Sequence, residues 1–390
     1  MPLSVTTLAG NAPPGVAPGS TNGVGTDARF NNPQSIAIDN FGNGFISNGG
    51  SSIISRIALG SATVAYVAGG GAGGAAGTGT ACGFTDGTGS DALFCTPVGL
   101  AVSATLSDAS AGVTDAVYVA DASNNAIRLL TPLGSEFSVS TVAGNGPTSA
   151  GFVDGLGTTA RFFQPHGVAL NGLRTALYVG DSNNNVIRAI NVGMTPPFLV
   201  TTLAGGGAAG GTADGFADGV GVSARVHRPI GVAWGQGSGL PYGAVYVADS
   251  TNNAIRAIPL SDATAAAVFA TVTVAGNTSA NPPALRDGPP LTAQFSTPTG
   301  VFYFERAGGK ALGVADTDNN AVRGVLLTGF GLNASEVVTI AGGGRAGGYI
   351  NAVGTNAMFF YPANLGVSSC GDFLVADDKN NAIRAVCPPA

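Results

Sequence analysis

Charge is scarce in this chain. Asp, Glu, Lys and Arg together make up 10% of its 390 residues, against roughly 25% in an average soluble domain. Lysine occurs twice, histidine twice and glutamate three times. With a formal net charge of −6 there is no material for a basic face, which argues against nucleic acid or anionic lipid as a partner. The two histidines, His166 and His227, take different places in the pattern described below and are too few for a catalytic zinc. Glu136, Glu305 and Glu336 fall in variable connections, so no cluster for acid–base chemistry can be read. No apolar run approaches the ~18 residues of a spanning helix, so direct membrane insertion is not expected. The opening "MPLSVTTLAG" has neither a basic nor an apolar leader region, and no signal peptide is read there. Helical periodicity of any length is also missing, which leaves an all-β chain.

What the chain has is glycine, 62 residues of it, and one pattern repeated. The stretch "VYVADSTNNAIRAI" at 245 returns as "VYVADASNNAIRLL", "LYVGDSNNNVIRAI", "LGVADTDNNAVRGV" and "FLVADDKNNAIRAV". Taking its arginine as a ruler gives Arg56, Arg128, Arg188, Arg256, Arg323 and Arg384. The first copy is degenerate, with Asn48 in the place of the aspartate. Each unit offers four short runs rich in β-formers, bounded by Gly, Pro, Asn and Asp. Six four-stranded units predict a six-bladed β-propeller spanning 1–390. Blade cores are expected near 29–69, 92–144, 160–205, 224–276, 293–342, and 357–387 plus 4–10. The last blade ends after its third strand, and "SVTTLAG" at the start matches a fourth, so the N-terminal strand is expected to close the ring.

The order "DG.G..ARF..P.G.A......LYVAD..NN.IR.I.....V.TLAG", clearest in "DGLGTTARFFQPHGVAL" and "DGVGVSARVHRPIGVAW", resembles the NHL repeat. The resemblance covers Val5 to Val386 and implies a six-bladed propeller. It implies no single activity, because NHL propellers serve as binding platforms, RNA readers, receptor ectodomains and, in some cases, lyases or hydrolases.

The motif itself reads as architecture. Asp121, Asp181, Asp249, Asp316 and Asp377 can accept backbone N–H groups in their own turns, and the asparagine pair suits left-handed turn positions. The six ruler arginines, with Arg29, Arg161 and Arg225 at a second shared place, account for nine of 14. One aspartate per blade does not gather the six to eight oxygens of a calcium site, so no metal and no cofactor are expected. Glycine-rich runs at 68–83, 204–215 and 341–348 lack the Gly-Lys-Ser/Thr ending of a phosphate loop and read as connections between blades. Two disulfides are expected, Cys82–Cys95 tying down a loop and Cys370–Cys387 stapling the closing hairpin, with four reduced thiols as the alternative. Asn277 and Asn333 head glycosylation sequons. The functional expectation is a non-catalytic protein-interaction or structural module of an extracellular or cell-surface assembly, with a cytoplasmic module as the alternative placement. A ligand-binding sensor ectodomain and, behind it, a propeller hydrolase or lyase are the alternatives in function. Specificity is expected in the long connections 69–95, 103–116, 261–269 and 279–293.

Overall fold

The computed structural model describes residues 3–10, 18–70, 81–103, 115–134, 136–207, 211–236, 240, 242–260, 270–278, 284–306, 309–329, 331–344, 346–368 and 370–387. Of the long connections named above, 71–80, 104–114, 261–269 and 279–283 lie outside the described residues. Twenty-four strands of five to ten residues form six antiparallel sheets of four, and four of the sheets gain a two-residue outermost strand. The six inner strands are Pro33–Ile38, Pro97–Ser103, Pro165–Leu170, Pro229–Gly235, Pro298–Arg306 and Pro362–Val367. Each touches the next around a ring, and the sixth touches the first. The chain is a six-bladed β-propeller.

Every inner strand opens on proline, which has no N–H to leave unpaired at a strand start. The second strands are buried along most of their length, and Ala176–Asp181 throughout, because a neighbouring blade covers each face. Core clusters accordingly run between blades: Tyr178, Val232, Val245 and Val247 of two consecutive blades pack in one of them. The waist of the ring is held by the third residue of each inner strand, which is Gly99, Gly167, Gly231 or Gly300 in four blades. A Cβ on Gly167 would lie 2.3 Å from the carbonyl oxygen of Ile230 in the next blade, so only glycine lets the strands approach this closely. In the first and last blades Ser35 and Asn364 take this place, and Asn364 Nδ2 donates to Ser35 Oγ at 3.1 Å.

The ring closes where the sequence places the seam. Ser4–Ala9 pairs antiparallel with Ala382–Cys387, Ser4 opposite Cys387 and Val5 opposite Val386. The closing strand is also held from outside, since the Val5 N–H donates to the Ala352 carbonyl at 2.7 Å.

Cys82 and Cys95 are bonded, whereas Cys370 and Cys387 are free. The strand register explains the second pair. Phe373 stands opposite Val386, so Asp372 faces the Cys387 thiol, while Cys370 sits two residues further on in the turn capped by the Gly371 N–H to the Ser368 carbonyl. Burial and the Asp372 carboxylate raise the Cys387 thiol to about 11.

Candidate functional site: the repeated arginine cradle and the two channel mouths

Five blades build the same buried cradle. Arg188 is fully buried; Nη1 donates to Asp181 Oδ2 at 2.9 Å and to the Arg161 carbonyl at 3.0 Å. Its Nη2 donates to the Val153 carbonyl and to Asp154 Oδ1. The guanidinium lies between the rings of Phe152 and Phe162, 5.1 and 5.0 Å from their centroids. Asp181 in turn accepts the Phe163 N–H and Asn184 Nδ2. Arg128, Arg256, Arg323 and Arg384 repeat the arrangement with Asp121, Asp249, Asp316 and Asp377. Removal from water pushes these aspartates up, to about 6 for Asp121, Asp181, Asp316 and Asp377, against the opposing pull of their arginines and hydrogen bonds.

The asparagine pair divides its labour between blades. The first holds its own aspartate. The second, Asn125, Asn185, Asn253, Asn320 or Asn381, is left-handed with φ of 51° to 54°. Its Oδ1 accepts an N–H of the following blade: Gln164, Arg228, Thr297, Tyr361 and, across the seam, Asn32. The motif is thus both a clamp within one blade and a stitch to its neighbour.

The first blade departs from the reading above. Each complete cradle spaces its arginine seven residues after the aspartate, and seven after Asn48 is Ser55, not Arg56. Asn48 Nδ2 donates to Ser55 Oγ at 3.1 Å, and Arg56 falls on the opposite face, opposite Phe45. Asn22 stands where four blades carry an outer aspartate and the last carries Asn351, which accepts from Arg384 Nη2. All three charges of the cradle are replaced together by neutral groups.

The Cys82–Cys95 bond closes the segment that supplies Thr85, Asp86 and Leu93 to Arg128, so it staples one cradle. Asn333 is exposed at the start of an outer strand and Asn277 is half-buried. The three glutamates lie on strands rather than in connections, Glu136 and Glu336 on outer strands and Glu305 on an inner one. Parts of the three glycine-rich runs lie outside the described residues.

Two cavities lie along the central channel, one towards each end. Towards one end the inner strands place Ile38, Val102, Leu170, Trp234, Phe302, Tyr303 and Val367, among others, around a cavity of about 260 Å³. Trp234 and Tyr303 each direct their polar atom away to a backbone carbonyl, of Tyr242 and Gln236. At the other end the strands begin, and a cavity of about 250 Å³ is lined by Gln34, His166, Thr299, Asp318, Tyr361 and Asp378, among others. His166, Asp318 and Asp378 come from three different blades. The sequence reading did not select this group. Gln34, His166 and Thr299 occupy the second place of Pro-x-Gly and its variants, the place in that motif that differs in every blade. Among the described residues no group of three His, Cys, Asp or Glu is arranged to hold a metal ion, and no helix is long and apolar enough to cross a membrane.

No protein-family model matches the chain, and no curated protein matches it. Solved structures do. An auxiliary nutrient binding protein from Bacteroides ovatus ATCC 8483 superposes with a TM-score of 0.67 at 16% identity, covering 100% of this chain and 77% of that one. A protein of unknown function from Bacteroides thetaiotaomicron VPI-5482 gives 0.64 at 17% identity, covering 99% and 76%. A streptogramin B lyase gives 0.52 at 10% identity, covering 99% and 98%. At these identities the likeness is one of fold.

Proposed function

We propose that the chain is a non-catalytic β-propeller module that works by protein contact within an extracellular or cell-surface assembly. The observation that carries this reading is the fate of its charge. Five of the chain's 16 Lys and Arg, with their inner aspartates, are fully buried in the frame, which leaves few positive charges for the surface. The rim of the propeller carries an apolar residue at one place in several blades, Thr88 taking that place in the second. Val24, Leu156 and Val220 occupy one repeat place on the outermost strands, with Val353 beside them in the last blade, and all four are exposed. The order of motifs that resembles the NHL repeat fits an interaction platform. The Cys82–Cys95 bond and the exposed sequon at Asn333 fit a secretory route.

A photo-cross-linking residue placed at Val24, Leu156 or Val220 tests the reading in the native source. Cross-links from these places to a second copy or to one recurring protein are expected. Products confined to the chain itself would sink it, and four free thiols in the native protein would remove the extracellular placement. A second reading, a ligand-binding ectodomain, draws on the polar channel mouth and on the nutrient-binding neighbours.

A further inference from the structure

The last blade departs from the others along its outer edge. Residues 350–361, which lead from the rim to the inner strand, carry no charge. The equivalent segment carries two or three charges in each of the other blades, Asp154 and Arg161 in the third for example. Two replacements make the difference from that blade. Asn351 takes the place of the outer aspartate, and its Oδ1 accepts from Arg384 Nη2 at 2.8 Å. Met358 takes the place of Arg161, its backbone bridged to Ile350 as that of Arg161 is to Val153. The frame has no need of the first change, because Asp86, Asp154, Asp218 and Asp287 make the same contact to their arginines with side chains about half exposed. What the change removes is a charge that water reaches.

The surface left at this edge is apolar and continuous. Ile350, Val353, Phe360 and Tyr361 are 46, 41, 37 and 40% exposed. The Phe360 ring lies on Gly347, where a Cβ would be 2.1 Å from it, and Met358 lies on Gly348, where a Cβ would be 2.8 Å away. Phe360 and Tyr361 meet edge to face at 5.4 Å. Charge returns at the borders. Lys379 donates its N–H to the Phe360 carbonyl, and Asp287 shares a cavity of about 360 Å³ with Thr355. An uncharged centre rich in aromatic residues and methionine, inside a charged border, is the make-up of a protein contact surface. Its occupant must also be uncharged, since a charge pressed onto this centre would lose its water and gain no partner. The same edge of a second copy meets that condition. In a two-fold contact a patch faces itself, and of the six edges this is the one with no charge to bury against its own image.

We propose that the outer edge of the last blade forms a two-fold contact with a second copy of this chain. The proposal rests on the reading that the propeller works by protein contact, and it can fail alone, because the cross-links expected above come from other blades. The experiment is sedimentation velocity on the full chain over a dilution series. A reversible dimer with a Kd on the order of 10 μM is expected. Asn351→Asp restores the aspartate that four blades already accommodate, so it should melt no lower than wild type while weakening the dimer about tenfold or more. Ile350→Glu is expected to weaken it likewise, and Leu156→Glu on the third blade to leave it unchanged. Wild type that stays monomeric throughout the series, or a dimer as tight in folded Asn351→Asp and Ile350→Glu as in wild type, overturns the proposal.

Discussion

At the scale of the residue, the buried arginine is the most exacting position. Arg188 neutralises Asp181 where neither touches water, so removing one partner leaves the other charged and dry. Arg188→Met is expected to cost about 3–5 kcal/mol in denaturant unfolding. The first blade shows the compensated alternative, with Asn22, Asn48 and Ser55 all neutral. Adding Asp181→Asn to Arg188→Met should therefore recover part of the loss rather than deepen it, and a double-mutant cycle reads the coupling. Additive costs would refute the idea that the cradle is one electrostatic unit. The same blade shows the limit of reading by motif. Arg56 lies one place beyond the true repeat position, and an arginine nearby was enough to disguise a shift that reverses the face of the strand.

At the scale of the strand, the inner ring depends on the absence of side chains at its waist. Gly167→Ala must displace the Ile230 carbonyl and is expected to cost about 3 kcal/mol by overpacking. Gly60, with nothing within 4 Å of a new Cβ, should accept alanine within about 0.5 kcal/mol. Comparable melting temperatures for the two variants would contradict the close-approach argument. Strands, their order and the seam were legible because each carries out one physical task in every blade, and repetition marks that task. The channel mouths were not legible for the converse reason. His166 and Gln34 hold equivalent places and share nothing chemically, so a search for recurrence passes over them; Asp378 differs likewise from Ser182 and Ser250. The Cys370–Cys387 expectation failed on a register offset of two residues, which spacing along the chain does not reveal.

At the scale of the whole molecule, closure and charge burial set the behaviour. A chain lacking residues 1–10 would present the unpaired edge of Ala382–Cys387 and is expected to self-associate in light scattering. A peptide of residues 3–10 added in trans should restore the monodisperse state, and a truncated chain that stays monodisperse would deny the closing strand its role. Acidity acts through the inner aspartates. Four of them titrate at about 6 in the fold against an ordinary 3.8. Between these values the folded chain holds protons that the unfolded chain has released, so stability rises as pH falls from 7 towards 5. Asp249 and Asp378 act in the same sense, while His166, lowered by burial, opposes them. Thermal melts should therefore show a higher Tm at pH 5 than at pH 7.5, and a fall over that interval would contradict the stated directions.

Ser4 stands opposite Cys387, so both ends of the closing pair leave the disc at one spot. Tension drawn through them would not stretch the ring. It would peel the seam one residue pair at a time, like a zipper, while the other five blades bore no load. Under force the molecule is a pendant, and its mechanical strength is that of the clasp.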